Sequence, residues 1–550
     1  MKNWIKYSFF AGLITLLVVT PDLVFLLKNR VYNYAFASLV VVFLLLLIPV
    51  VLFSRRLKIY YGILSIIIAL TPIMLLPIFF MNIQVNTEMV GLVLETHTDE
   101  VWELLGYKII FLVAGMLLFG WGSYQLSKQL PSQIRWKHGL MVTIFGTVGF
   151  LAIPLIRSNT LKKFKEFTRN TYLTYYPFRM FSAFDLILSQ QDGMQEYAER
   201  TKNFQAGVSQ KTPGDTTRKI YVMVIGETSR YDHWGVNGYE RNTSPRMQTL
   251  PNLFAFKNAV SGATMTILSV PQLITSAEPR TFDEHRNEKS ILAVFKEAGY
   301  YTAWISNQSK YGLAGNIGMH FHDGDTAMFC GYGANENNFT SNLDDELVVK
   351  MKKIIDEKPH QDLFFILHMI GSHWRYLLRY PETMEPFKPT YDRHSVVLER
   401  PTQEQLINEY DNSIHYSDYI LGQIADVLNQ SNAKSSFVYV SDHGEHLNDN
   451  NNSKYFHSFT PFKVTAKVPL FIWFNDQYAK TSPEVLTMTK NNLEQKVSTG
   501  VSVYHSMLSI AGLQAKCLDS TKVLTNKFLK PSDQAILGEN NKIYFYKDIE

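Results

Sequence analysis

The sequence predicts a membrane bundle of five helices followed by an α/β domain with a mainly parallel sheet. Apolar residues are concentrated in the first 160 of the 550 residues, in stretches near the roughly 20 residues that cross a bilayer. From residue 219 onward, short apolar runs alternate with amphipathic segments, which is typical of α/β domains. The chain is also too long for one ordinary core.

Five apolar stretches are predicted to span the membrane. They are residues 7–27, 35–53, 59–81, 109–124 and 139–156. A cleaved signal peptide could end near Ala35-Phe36-Ala37. Four more apolar stretches follow the first one, and the charged residues Lys28 and Arg30 lie between the first stretch and this motif. We therefore expect the first span to be retained.

Basic residues in the short loops predict the orientation of these spans. They precede the first span and separate the second from the third and the fourth from the fifth: Lys2, Lys6, Arg55, Arg56, Lys58, Lys128, Arg135 and Lys137. The loop before the fourth span is acidic instead, with Glu88, Glu95, Asp99, Glu100 and Glu103. Five spans then place everything after residue 156 outside the cytoplasm.

Residues 158–214 are predicted to join the two halves. Their first part mixes basic and aromatic residues, and Pro177 interrupts it, which favours helices in a lipid headgroup layer over the alternative of a solvated linker. A polar stretch at 209–218 marks the next boundary. The predicted organisation is thus 1–157, membrane domain; 158–214, interfacial helices and linker; 215–550, catalytic domain.

The second half contains five predicted strands, with helices between them at 290–298 and 403–429. The strands are 220–226, 300–306, 363–371, 436–442 and 468–474. Their near-continuous apolar character indicates a buried, mainly parallel sheet. In such sheets functional groups gather at the carboxyl ends of the strands.

Polar residues of metal-binding type follow three of these strands. Glu227 follows the first, Asp442 and His443 follow the fourth, and Gly371-Ser372-His373 ends the third. One Asp-His pair alone could be a polar surface turn. Together, carboxylate and imidazole ligands without thiolate suit zinc or manganese.

Thr264 and Thr266 are both candidate nucleophiles, because they stand just before an apolar helical pattern. Backbone N–H groups at a helix N-terminus can bind an anionic phosphoryl group, and a metal can lower the pKa of a hydroxyl. An ordinary N-cap threonine is the alternative.

Composition narrows the classes of partner. The net charge is only +4 and no long Lys/Arg block is present, so we expect no nucleic-acid partner. Cys330 and Cys517 are the only cysteines; they cannot form a disulfide scaffold, and neither lies in a CxxC pair.

Several motifs give the chain a family resemblance. They are LVLETHTDEVWELL, VIGETSRYDHWGVNGYERNTSP, TMTILSVP, AGYYTAWISNQSKYG, LHMIGSHWRYLLRYP, EYDNSIHYSDYIL and YVSDHGEHL. In order and spacing they resemble the membrane-bound phosphoethanolamine transferases of the alkaline phosphatase–sulfatase superfamily. The resemblance covers nearly the whole chain and implies a sulfatase-like fold for the second half.

The resemblance also implies roles for individual residues. Glu227, Asp442 and His443 correspond to zinc ligands, and Thr266 corresponds to the nucleophile, which also binds the metal. Thr266 is favoured over Thr264 because it stands three residues before Ser269-Val270-Pro271. Residues that correspond to contacts of the substrate phosphate or of a second metal, or to a lipid site, are His373, His457 and Lys310, and more weakly Glu95 and Glu100.

Three features depart from the family pattern. SKYG around Lys310 is unusual, Ser261-Gly262 stands where a disulfide cysteine is often found, and His446 follows SDHGE. The fold therefore cannot depend on the usual bridges. We predict that His446 is a surface residue.

The resemblance implies a zinc enzyme in the bacterial inner membrane with its catalytic domain in the periplasm. Its donor would be phosphatidylethanolamine, and its acceptor would be lipid A, core oligosaccharide or another envelope glycan. The protein would be a monomer. A phosphoglycerol transferase of the lipoteichoic-acid type is the alternative enzyme. Sulfatase activity is disfavoured because it needs a Cys or Ser in a C/S-x-P-x-R motif, and Cys330 lies in FCGYG instead. A transporter or binding protein is also disfavoured, because it would not need the full set of metal ligands.

Overall fold

The computed structural model describes residues 2–28, 32–80, 90, 109–157, 175–210, 216–308, 316–330, 343–391, 401–449 and 454–550. The chain forms two compact units. The first comprises Met1–Ser189, and the second takes most of the chain from Gln190 onward. The predicted boundaries after residues 157 and 214 stay predictions.

The first unit is helical. Its helices are α1 Lys2–Val18, α2 Thr20–Lys28, α3 Tyr32–Leu47, α4 Leu57–Ala69, α5 Thr71–Phe80, α6 Ile109–Gln129 and α7 Trp136–Arg157, and α8 Phe178–Thr201 leads into the second unit. Pro21 and Pro72 lie at the second position of α2 and α5. Proline is tolerated there because the first N–H groups of a helix have no partner within it.

Two helical stretches among the described residues, Leu57–Leu75 and Ile109–Gln129, are long and apolar enough to cross a bilayer. A third is added if Phe9–Val18 and Thr20–Lys28, which meet at 63°, form one broken span. The count of five spans stays a prediction. Large apolar side chains of α6, including Ile110, Phe111 and Leu117, are exposed, and so extensive an apolar surface is typical of contact with lipid.

The second unit is built around a seven-stranded mixed sheet in the order β3-β11-β8-β2-β7-β5-β6. Its strands are β2 Lys219–Gly226, β3 Leu253–Ala255, β5 Tyr301–Ser306, β6 Thr326–Phe329, β7 Leu363–His368, β8 Lys434–Ser441 and β11 Leu470–Phe474. Strands β8, β2, β7, β5 and β6 are parallel, whereas β11 runs antiparallel to both its neighbours. All five predicted strands belong to this sheet, so the predicted α/β domain with a mainly parallel sheet is confirmed.

The remaining strands form four short pairs: β1 Ser209–Gln210 with β13 Leu513–Gln514, β9 His446–Leu447 with β10 Tyr455–Phe456, β4 Asn258–Val260 with β12 Lys496–Ser498, and β14 Ala535–Leu537 with β15 Ile543–Phe545. The helices are α9 Pro245–Thr249, α10 Thr266–Ile274, α11 Ile291–Glu297, α12 Asp345–Glu357, α13 Gln403–Gln430, α14 Lys463–Ala466, α15 Asp476–Thr481, α16 Pro483–Asn491 and α17 Thr499–Ile510.

Strand β2 is buried on both faces, which is why its sequence is continuously apolar. Met223 and Ile225 pack in the core that includes residues of α17, whereas Val222 and Val224 pack in the opposite core that includes residues of α13. Helix α13 begins at a capping box, in which Thr402 and Gln405 satisfy each other's backbone N–H groups. The two layers of helices hold β2 and β8 in parallel register.

Candidate active site and metal centre

The carboxyl ends of β2 and β8 bring together the residues of the candidate site. Gly226 and Ser441 are paired at the end of the parallel register. The next residues, Glu227 on one strand and Asp442 and His443 on the other, therefore leave the sheet side by side. Thr266 approaches the same point as the first residue of α10.

The Thr266 hydroxyl lies among the three predicted ligands. Its Oγ1 is 3.3 Å from both carboxylate oxygens of Glu227 and 3.3 Å from His443 Nε2. His443 Nε2 is in turn 3.5 Å from Glu227 Oε1 and 3.3 Å from Asp442 Oδ2. One ligand atom each from Glu227, Asp442 and His443 lies within 4.8 Å of the other two, which is close enough for all three to bind one ion.

Hydrogen bonds orient these ligand atoms. The Nδ1–H of His443 donates to the Gly444 carbonyl at 2.9 Å, so the Nε2 lone pair faces the cluster. Asp442 Oδ1 accepts the backbone N–H groups of Thr228 and His443. Its other oxygen, Oδ2, is buried and has no hydrogen-bond partner among the described residues.

A fifth side chain, that of Gln308, holds the Glu227 carboxylate in place. The Gln308 amide donates to Glu227 Oε2 at 3.0 Å and to the Met369 carbonyl at 3.1 Å. Gln308 is itself buried. Gln308 was not predicted as a site residue, although it follows the end of a predicted strand as Glu227 does.

Burial controls the charge of the site. It raises the pKa of Glu227 well above its usual range, and the nearby Asp442 and Glu445 carboxylates add to the effect. Burial likewise raises the pKa of Asp442 to about 6 and lowers the pKa of His443 well below its ordinary value. Two carboxylates and a neutral imidazole thus lie in a place where a divalent cation would offset the cost of ionising the acids. The buried, unpartnered Asp442 Oδ2 and this donor set fit zinc.

Helix α10 adds a positive end to the site. The helix has nine residues, and the backbone N–H groups of its first turn have no carbonyl partner within the helix. The positive end of the helix dipole lies at the same end. A phosphoryl group bonded to Thr266 would lie next to these donors. Thr264 is oriented differently: it is buried, and its hydroxyl donates to the Ser458 carbonyl at 2.7 Å.

Two of the predicted histidines accompany the cluster. The His457 ring centroid is 4.0 Å from that of His443, and its Nδ1 is 3.3 Å from Oε1 of the buried Glu445. His373 donates from Nδ1 to the Trp374 carbonyl at 2.8 Å. Burial, helped by the Arg379 charge, lowers the pKa of His373 to about 4. Lys310, Glu95 and Glu100 lie outside the described residues.

The prediction that His446 is a surface residue is wrong. His446 is buried, and its ring packs 4.8 Å from that of Phe462. Its strand, β9, pairs with β10, with His446 opposite Phe456. The turn after Asp442-His443 therefore leads back into the fold.

Ser261, one of the residues that depart from the pattern implied by the resemblance, forms a polar link. Its hydroxyl donates to the backbone carbonyl of Asp442 and also lies 2.7 Å from the Ala263 carbonyl. The segment that carries Thr266 is thus tied to the segment that carries two predicted metal ligands. Cys330 and Cys517 form no disulfide.

Comparison with known proteins agrees with this geometry. The family model described as Sulfatase matches residues 219–513, more than half of the chain. The Kdo(2)-lipid A phosphoethanolamine 7''-transferase of Salmonella typhimurium is 28% identical over 464 residues, which are 79% of this chain and 79% of that protein. Phosphoethanolamine transferase EptC of Escherichia coli K12 is 25% identical over 514 residues, which are 89% of this chain and 86% of the relative.

A solved structure has the same fold. The crystal structure of the C-terminal periplasmic domain of EptC from Escherichia coli, in complex with zinc, superposes with a TM-score of 0.56 at 24% identity and covers 62% of this chain and 96% of that one. The extent of the family match, together with the mixed sheet and the cluster at its edge, leads to one conclusion. The chain belongs to the sulfatase family.

Proposed function

We propose that this chain is a zinc-dependent phosphoethanolamine transferase of the bacterial inner membrane. It moves phosphoethanolamine from phosphatidylethanolamine to lipid A, a core sugar or another envelope glycan. The observation that carries the proposal is the Thr266 hydroxyl, 3.3 Å from both Glu227 and His443 at the start of α10. Two relatives named phosphoethanolamine transferases favour this reaction over phosphoglycerol transfer.

Glu227, Asp442 and His443 would hold the metal, with Thr266 Oγ1 as the fourth ligand. Zinc bound there supplies positive charge, which lowers the pKa of the hydroxyl and offsets the charge of the phosphoryl oxygens. The chain itself supplies the orientation. Gln308 fixes Glu227, the Gly444 carbonyl fixes the His443 tautomer, and backbone N–H groups fix Asp442.

Transfer proceeds in two stages. In the first, Thr266 Oγ1 loses its proton to solvent and bonds to the phosphorus of phosphatidylethanolamine. The bond from phosphorus to the glycerol oxygen breaks, and the departing diacylglycerol takes up a proton. In the second stage, an acceptor oxygen, either an ionised phosphate oxygen or a sugar hydroxyl that loses its proton to solvent, bonds to the phosphorus. The bond to Thr266 breaks, and the threonine oxygen takes up a proton from solvent to restore the hydroxyl.

Other residues assist without forming bonds to phosphorus. The N-terminus of α10 stabilises the anionic phosphoryl oxygens. His373 and His457 contact those oxygens or a second metal ion, and Glu445 orients His457. The membrane unit would tether the chain to the membrane that contains the donor and acceptor lipids.

Variants of the two threonines test this function. Thr266→Ala should bind zinc but release no diacylglycerol from phosphatidylethanolamine, and Thr266→Ser should keep part of the activity because it keeps the hydroxyl. Thr264→Val is the matched control, since the Thr264 hydroxyl bonds to Ser458 instead of the cluster. Diacylglycerol release by the Thr266→Ala variant at the wild-type rate would refute the proposal.

A further inference from the structure

Exposed apolar residues stand next to site residues in the sequence. In the described part of the second unit, four large apolar side chains are exposed: Ile267, Val349, Phe456 and Phe528. Two of these are immediate neighbours of site residues, because Ile267 follows Thr266 and Phe456 precedes His457. Single exposed apolar residues are ordinary on a protein surface. It needs an explanation, however, that two of these four residues stand next to Thr266 and His457.

Phe456 is held in place at a conformational cost. Its φ of 65° lies in the left-handed region, which bulky residues rarely adopt. One side of its ring packs on Trp374, with the ring centroids 5.3 Å apart and the planes at 77°. The side chain is nevertheless 43% exposed. A strained backbone that presents an apolar ring to the surface beside a site indicates a functional constraint.

Trp374 stands next to a third site residue, because it directly follows His373. We call Ile267, Trp374 and Phe456 the apolar rim. Each is adjacent in sequence to one of Thr266, His373 and His457. The Trp374–Phe456 ring contact lies between two of these positions, because Trp374 adjoins His373 and Phe456 adjoins His457.

We propose that the apolar rim binds the acylated glycerol of the donor lipid and so selects diacyl donors over water-soluble phosphoethanolamine esters. This inference rests on the proposed function. In an in-line displacement the leaving oxygen lies opposite the attacking oxygen, so the leaving group points away from Thr266. Trp374 and Phe456 adjoin the two histidines instead of the threonine, so they are the rim residues that we expect the leaving group to contact. In the second stage the acceptor attacks from the direction in which the diacylglycerol left, but its phosphate or sugar hydroxyl is polar. The acyl groups of the leaving diacylglycerol are apolar and therefore suit an apolar rim better.

Two donors in which the same phosphorus–glycerol oxygen bond breaks, but whose leaving alcohols differ in their acyl groups, separate the effect of the rim from the chemical step. Dihexanoyl phosphatidylethanolamine, used below its micelle concentration, and glycerophosphoethanolamine, which has no acyl groups, both release a glycerol oxygen. The full-length protein in detergent is given each donor, and kcat/KM is measured as release of the glycerol product. The ratio of the two values reports the recognition of acyl groups.

Phe456→Asn should lower this ratio about tenfold, the order expected when much of the apolar contact of one phenylalanine is lost. Asparagine tolerates the left-handed backbone, so the melting temperature should stay unchanged or rise. Phe456→Leu should keep most of the preference. Phe528→Asn is the matched control, because Phe528 is 57% exposed and adjoins none of the site residues in sequence.

The outcomes are distinguishable. A lower ratio in Phe456→Asn, with the wild-type ratio in Phe528→Asn, supports the rim. An unchanged ratio in Phe456→Asn, with wild type active on both donors, would overturn the rim and leave the transferase in place. A wild type that cleaves neither donor would overturn the proposed function, and the rim with it.

Discussion

Two buried carboxylates, Glu227 and Asp442, lie beside one neutral imidazole at the end of the sheet. Such groups are costly to ionise together, and proteins keep them where a cation or a reaction needs them. Here the carboxylates retain their positions through hydrogen bonds from Gln308, Thr228 and His443. The arrangement is preorganised for a metal at the expense of stability when the metal is absent.

Zinc binding should therefore depend on pH. Burial raises the pKa of Asp442 to about 6, so between its ordinary pKa and about 6 the zinc-free native state holds a proton that the unfolded chain has lost. The zinc-free protein should lose stability as pH rises through this window, whereas zinc, which must displace the proton, should bind more tightly. The zinc-dependent gap, which is the difference between the melting temperatures with and without zinc, should be larger at about pH 7.5 than at about pH 5.

Asp442→Asn provides the control for this prediction. It removes one charge without a large change of volume, so the folded protein should lose zinc content at neutral pH and much of the pH dependence of the gap. A zinc-dependent gap that is equal at both pH values in the wild type would contradict the assignment of these ligands.

Residue types and positions after strands were enough to predict the ligands as candidates, but not their surroundings. Thr264 and Thr266 are equivalent as residues before a helix, and only the fold sends one hydroxyl to the cluster and the other to Ser458. His446 was misplaced because a short strand pair and Phe462 bury it. Such contacts depend on distant segments and leave no local pattern.

The loop before α10 and the loop after β8 are joined by Ser261. Its hydroxyl donates to the Asp442 carbonyl. Ser261→Ala should lower the free energy of unfolding by about 1 kcal/mol, as expected for one buried hydrogen bond, while zinc content is retained. Denaturant unfolding of the full chain measures the effect.

Ser520→Ala serves as the comparison, because Ser520 is exposed in a short 3₁₀ turn and should change the stability little. If both variants were equally stable, the hydrogen bond from Ser261 to the Asp442 carbonyl would not contribute to the stability of the fold.

The five predicted strands were found because they are long and continuously apolar. Their continuous apolar character predicted a mainly parallel sheet, but it could not show which single strand runs the other way, because a strand buried on both faces is apolar in either direction. Strand β11 therefore gave no sign that it runs antiparallel to β8. The three-residue strand β3 at the sheet edge is only partly buried and too short to show a period. Strand order depends on crossover connections and was not predicted.

The distribution of basic residues gives the whole chain an orientation. Basic loops predict a cytoplasmic N-terminus, and any odd number of spans then places the second unit in the periplasm. A reporter that fluoresces only in the cytoplasm should stay dark when fused after Glu550. The same reporter inserted after Ser132, between α6 and α7, should fluoresce, because Lys128, Arg135 and Lys137 lie in or beside that loop. A bright fusion after Glu550 would refute the topology.

We propose that Thr266 carries the phosphoethanolamine group between donor and acceptor, so a covalent adduct on this residue is the most direct test. Wild-type protein given phosphatidylethanolamine without acceptor should accumulate a phosphoethanolamine adduct on the peptide that contains residues 264–271, and fragmentation in the mass spectrometer should place it on Thr266. Addition of lipid A should remove the adduct. An adduct on Thr264, or consumption of the donor with no adduct on this peptide, would contradict the account.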